Sequence, residues 1–143
     1  MDNKKVKNAT ATFYNNINFK SKLEVSCYKK LETSGLTFAY EPETITIWVG
    51  NKIVNTIVYL PNNYKILVPK SNFKLRDITY TPDFKITHKG YTIYVDSKGH
   101  VNDVYPIKKK MFLQYLDKKP KHMFFEPHSV KQMMQTIEII KKL

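Results

Sequence analysis

The chain has 143 residues, 42% of them apolar and 13% aromatic, which excludes wholesale disorder and suits one domain with a real core. Twenty-four Lys and Arg face twelve Asp and Glu, a net charge of +12 with Arg76 the single arginine; this attracts polyanions, nucleic acid first and an anionic membrane second, unless the lysines only keep the surface soluble. Lone Cys27 excludes an intramolecular disulfide, the N-terminus carries no apolar leader, and runs such as Ile57 to Leu60 are too short for a bilayer, so a soluble cytoplasmic protein with no membrane partner is expected.

Residues 1–18 are polar and Asn-rich, and read as a flexible N-terminal arm or a loose first strand ahead of a single domain over 19–143. A helix is predicted from about Lys22 to Thr33. Ser21 and Glu24 form its capping box, Leu23, Cys27 and Leu31 its apolar stripe, and Gly35 its stop signal. The pattern then turns to β-branched and aromatic residues, predicting strands at Thr44–Val49, Thr56–Leu60, Tyr64–Val68 and Ile78–Tyr80. Gly50-Asn51, Pro61-Asn62-Asn63 and Pro69-Lys70-Ser71-Asn72 separate them. Phe84–Thr87 and Tyr91–Asp96 read as a hairpin around His88-Lys89-Gly90. A helix follows over about Pro106–Leu116, then a strand at His122–Phe125, then a helix after Ser129 that ends on Lys141-Lys142. The fold class is α/β, with a central mixed sheet flanked by helices.

The chemistry sits in two strings, Thr81-Pro82-Asp83-Phe84 and Val95-Asp96-Ser97-Lys98-Gly99. Alternation puts Asp96 and Lys98 on one strand face. A hairpin loop of two or four residues would set Asp83 opposite Asp96 on that face, whereas an odd loop would shift the register. Two such carboxylates repel each other unless a divalent cation lies between them. Taken singly, Asp83 is an ordinary turn residue after proline, and Asp96 to Gly99 a charged strand end. Glu24 is accounted for by the cap, yet it borders the apolar stripe and could turn toward the strand ends. His122 and His128 lack zinc spacing, and neither a P-loop nor a dinucleotide fingerprint is present. His100 follows Gly99 and could touch phosphate, although a solvated turn histidine is the commoner case. Lys108, Lys109 and Lys110, with Lys118, Lys119 and Lys121, form a basic stretch on the path a polyanion would take to the acidic cluster.

With Glu24, Pro82-Asp83 and Asp96-Ser97-Lys98 assembled, the chain resembles the PD-(D/E)xK nuclease superfamily, and within it small bacteriophage nucleases of the Holliday-junction-resolvase-like branch. The likeness is carried by Lys20-Ser21-Lys22-Leu23-Glu24, Tyr40-Glu41-Pro42-Glu43-Thr44, Asp77 to Phe84, Asp96-Ser97-Lys98-Gly99 and Lys108 to Phe112, and spans residues 20–116. It implies a restriction-endonuclease-like core and an endonuclease dependent on Mg²⁺ or Mn²⁺. Asp83, Asp96, Glu24 and the Ser97 carbonyl would be ligands, with Lys98 catalytic. It also implies DNA, junction or branched DNA foremost, as the substrate; Lys20, Lys22, His100 and Lys108 to Lys110 would contact it. A homodimer in the host-cell cytoplasm completes the expectation. A nuclease for ends, nicks or foreign DNA, or a non-catalytic nucleic-acid-binding protein, are the alternatives. Ser97 departs from the apolar residue usual at that position.

Overall fold

The computed structural model describes residues 10–63 and 65–143. In chain order its elements are β1 (Thr12–Tyr14), β2 (Ile17–Phe19), α1 (Lys22–Glu32), β3 (Thr37–Tyr40), β4 (Ile45–Trp48), β5 (Lys52–Ile53), β6 (Val58–Pro61), β7 (Leu67–Lys70), β8 (Phe73–Lys74), β9 (Ile78–Tyr80), β10 (Phe84–His88), β11 (Tyr91–Val95), α2 (Tyr105–Asp117), β12 (His122–Phe125) and α3 (Val130–Lys141). They divide into two units, one running through Ile45 and resuming at Tyr80–Leu143, the other Thr46–Thr79.

The first unit is organised by one turn. Lys89 and Gly90 both take positive φ, 47° and 81°, the backbone of a two-residue hairpin loop whose twist matches the strands it joins. Glycine enters that region without the penalty a Cβ brings. The even loop pairs Phe84 with Val95, Ile86 with Ile93 and His88 with Tyr91. β3 adds antiparallel to the other side of β10, and β12 lies parallel to β11, giving a mixed four-stranded sheet in the order β12-β11-β10-β3. A parallel neighbour needs a crossover, and α2 supplies it.

Helices cover both faces. On one, Phe84, Ile86, Ile93 and Val95 meet Val25, Cys27, Tyr28 and Leu31 of α1 and Met133, Ile137 and Ile140 of α3 in a continuous buried cluster. On the other, Phe112 of α2 packs edge-on against Tyr94, at 5.3 Å between ring centres, and against Phe124 at 5.8 Å. The expected α/β architecture, a central mixed sheet flanked by helices, is therefore present. Both α1 and α3 are N-capped by serine: Ser21 Oγ accepts from Glu24 N at 3.1 Å, and Ser129 Oγ from Gln132 N at 3.1 Å. The side chains of Glu24 and Gln132 each accept from the residue before the cap, Lys20 N and His128 N, so the reciprocal half of a capping box is not made. Among the described residues no helix is long and apolar enough to cross a membrane.

Three details differ from the sequence reading. Residues 12–14 and 17–19 pair as a hairpin inside the stretch read as an arm, whose first nine residues lie outside those described. β3 has no β-branched run; its partner β10 makes it a strand. The strands expected at Thr56–Leu60 and Tyr64–Val68 are displaced to Val58–Pro61 and Leu67–Lys70, because cross-strand pairing rather than composition sets strand ends; Tyr64 lies outside the described residues. The second unit is made of paired ribbons, β4 with β9, β5 with β8 and β6 with β7. Gly50 is required within it, since a Cβ there would stand 1.8 Å from the Leu75 carbonyl oxygen.

Candidate active site

One step beyond the Phe84–Val95 pair, the register sets Asp83 opposite Asp96. Both are buried, at 3% and 1% exposure, and fully buried Pro82 precedes the first. Asp83 is anchored by its neighbour strand: Ser97 donates to Asp83 Oδ2 through both its backbone N–H and its hydroxyl, each at 2.9 Å. An apolar residue at position 97 could make only the first of these bonds. Asp96 is held from the other side by Tyr80, whose hydroxyl donates to Oδ2. Asp96 Oδ1 is buried without a hydrogen-bond donor in good geometry, and the Lys98 ammonium stands 3.2 Å from it.

Glu24 arrives from the first turn of α1. Its side chain does not close the capping box on Ser21 but reaches one residue further, accepting from Lys20 N at 3.2 Å and from the Tyr40 hydroxyl at 2.9 Å. The stripe of Val25, Tyr28 and Leu31 seats α1 on the sheet, and this turns Glu24 inward to 6% exposure. Glu41, just past β3, takes a left-handed φ of 42° and donates its N–H to the Asp83 carbonyl at 2.7 Å. That bend brings a third carboxylate in: oxygens of Glu24, Glu41 and Asp83 lie within 4.8 Å of one another. Lys20 Nζ is 2.9 Å from Glu41 Oε1.

Electrostatics follow from the crowding. Burial first, then the charges of Asp96 and Glu24, push the Asp83 carboxyl well above the usual range, against the pull of Lys98. Burial also raises Glu24, although the Tyr40 and Lys20 hydrogen bonds favour its charged form. Crowding of this kind is relieved by a retained proton or by a cation.

The family comparison adds one finding. A family model described as a protein of unknown function (DUF1064) matches residues 4–131, nearly the whole chain. The chain belongs to the DUF1064 family. No curated protein and no solved structure matches it.

In this DUF1064 chain the fold thus brings Glu24, Asp83, Asp96, Ser97 and Lys98 together, along with Lys20. Lys22 and His100 are exposed. Lys109 is engaged elsewhere: with His128 it binds Glu126, at 3.1 Å and 3.2 Å. Tyr105 links that group to the site, donating to Glu126 Oε1 at 2.5 Å while its ring carries the Lys98 ammonium 4.5 Å from its centre. Burial acts to raise Glu126, but Tyr105, His128 and Lys109 outweigh it and leave its carboxyl low. Sequence reasoning quoted Tyr40, Glu41 and Tyr80 within the stretches that carry the resemblance, but gave none of them, nor Tyr105, a role at the site. The Tyr40-Glu41 pair had one available signal, an acidic residue next to an aromatic ahead of proline, but its relevance depends on β3 pairing with β10.

Proposed function

We propose that this chain is a Mg²⁺- or Mn²⁺-dependent DNA endonuclease acting on branched or junction DNA in the cytoplasm. The observation that carries the reading is the paired, buried Asp83 and Asp96 with the Lys98 ammonium 3.2 Å from Asp96 Oδ1. The donor set fits the ion: every candidate ligand is a hard oxygen, and Mg²⁺ takes few carboxylates, completing its shell with water and phosphate oxygens. Asp83, Asp96, Glu24 and Glu41 would hold it, with the Ser97 carbonyl as a further oxygen. When bound, such an ion supplies Lewis acidity toward phosphate and water.

The chain's own groups do the rest. Tyr80 and Ser97 each occupy one oxygen of Asp96 and Asp83 and so fix the orientation of the other. Lys98, held over the Tyr105 ring, donates toward the attacked phosphate and stabilises the charge that builds on it. Tyr40 keeps Glu24 from rotating away. The lysine excess binds the phosphate backbone without reading bases, as a structure-selective enzyme requires.

The test is incubation with four-way, flap, nicked and linear DNA in Mg²⁺ or Mn²⁺, with Asp83→Asn as the control. Metal-dependent cutting that the control lacks supports the reading, and a preference among substrates names the structure recognised. Tight DNA binding by wild type with no cleavage in either metal would turn the reading to a non-catalytic DNA-binding protein.

A further inference from the structure

We infer that Glu126 is a positioning residue for Lys98, holding its ammonium beside Asp96 by way of the Tyr105 ring. The Tyr105 hydroxyl donates to Glu126 Oε1 at 2.5 Å, the Lys109 ammonium stands 3.1 Å from the same oxygen, and His128 Nε2 is 3.2 Å from Oε2. Glu126 is not among the candidate ligands. What connects it to the site is the Tyr105 ring, whose face carries the Lys98 ammonium 4.5 Å from its centre.

Lys98 needs such a support. Its ammonium pairs with Asp96 Oδ1 at 3.2 Å. A cation held by Asp96 would compete for that oxygen and repel the ammonium, so the ion pair alone does not keep Lys98 in place once the ligand set is filled. A neutral aromatic face does, because its attraction comes from the ring quadrupole and is not shared with the carboxylate. The ring in turn is fixed at both ends. Tyr105 N–H donates to Asn102 Oδ1 at 2.8 Å at the start of α2, and the hydroxyl ends on Glu126. A bond that short from a phenol to a carboxylate is charge-assisted, and it polarises the ring toward the ammonium. Lys109, one turn after Tyr105 on α2, and His128 hold the carboxylate itself.

The backbone around Glu126 serves the same strand end. The carbonyls on either side of it, those of Phe125 and Pro127, accept from Asp96 N–H and Lys98 N–H, each at 3.0 Å. One short segment therefore holds the main chain of Asp96 to Lys98 and, through Tyr105, the Lys98 side chain. The inference rests on the nuclease reading for what Lys98 does, and not for where it stands.

The test has an arm for each. By NMR, the Lys98 side-chain protons, identified by their loss in Lys98→Arg, should lie upfield in wild type with or without Mg²⁺, because the Tyr105 ring shields them. Glu126→Ala and Tyr105→Phe break the same hydrogen bond, so each should shrink that shift and the double variant should shrink it no further. Glu126→Gln, whose amide oxygen still accepts from the hydroxyl, should keep most of it. Single-turnover cleavage at saturating DNA in Mn²⁺ should fall on the order of 10–100-fold in Glu126→Ala, with Mn²⁺ affinity unchanged by calorimetry and most of the rate restored in Glu126→Gln. Lys98 protons that stay upfield in Glu126→Ala overturn the inference. So do losses that add in the double variant, or an unchanged rate in Glu126→Ala. A wild type that cuts no DNA ends the nuclease reading, and the Lys98 protons then decide the inference without any activity.

Discussion

Asp83→Asn removes one charge from the most crowded part of the chain, and the relief can be worked out. Oxygens of Glu24, Glu41 and Asp83 lie within 4.8 Å; at an effective dielectric of ~20, each like-charged pair at that separation costs about 3.5 kcal/mol. Lys20 on Glu41 and Lys98 on Asp96 offset much of this. The asparagine oxygen can still accept both Ser97 bonds, and its amide can donate to the remaining carboxylates. A net stabilisation of about 1–2 kcal/mol without metal is expected, roughly 3–6 °C in melting temperature. The pH dependence is more diagnostic. Burial, Asp96 and Glu24 raise the folded-state pKa of Asp83, so the native protein retains a proton that the unfolded chain releases. Stability then falls as pH rises between the unfolded value of ~3.9 and the folded one, the reverse of ordinary acid denaturation. The advantage of Asp83→Asn should therefore be greatest near about pH 8 and fade toward about pH 4. Mg²⁺ at about 5 mM should raise the melting temperature of wild type and not of the variant. Melting curves across that pH range decide it: a variant less stable than wild type at about pH 8, or an advantage independent of pH, would refute the repulsion argument.

Three further outcomes are expected. Lys98→Ala should leave Mn²⁺ affinity nearly unchanged and lower cleavage by a factor on the order of 10²–10³, the usual cost of one preorganised stabiliser; single-turnover kinetics with calorimetry separate the two, and wild-type turnover would remove Lys98 from the chemistry. Glu41→Gln should weaken Mn²⁺ binding about 10-fold, comparably to Glu24→Gln; calorimetry giving wild-type affinity would take Glu41 out of the donor set. DNA affinity should fall steeply with salt, with a log–log slope near about −5 if some six phosphates are neutralised, and charge reversal at Lys108 and Lys110 should flatten it; a flat wild-type titration would exclude DNA as partner.

The helices and the central hairpin were legible in the sequence because their signals are local. Ser21 and Ser129 with their partners three residues on, the stripe of Leu23, Cys27 and Leu31, and the turn around His88-Lys89-Gly90 each act within one or two turns of chain. The pairing of the two aspartates was left open, because the strand bounds read from sequence put three residues, His88 to Gly90, in the loop; the His88–Tyr91 pair, which shortens it to two, settles the register. β3 and Glu41 were hidden for the opposite reason. Thr37, Phe38 and Tyr40 suit a strand, but four residues after a helix stop signal are too short a signal to stand alone, and pairing with β10, more than forty residues away in sequence, is what fixes the strand.

The sequence by itself determined the α/β class, the placing of Glu24 at a helix start, and the location of Asp83 and Asp96 at adjoining strand ends, since capping, periodicity and turn chemistry depend on near neighbours. Tertiary structure decided what those carboxylates face. Tyr80 reaches Asp96 across sixteen residues, Tyr40 reaches Glu24 across the same separation, and Glu41 is brought to the cluster by its bond to the Asp83 carbonyl. The orientation of a buried carboxylate depends on which donors the packed elements present to it, and that is a property of the assembled sheet and helices, not of any segment.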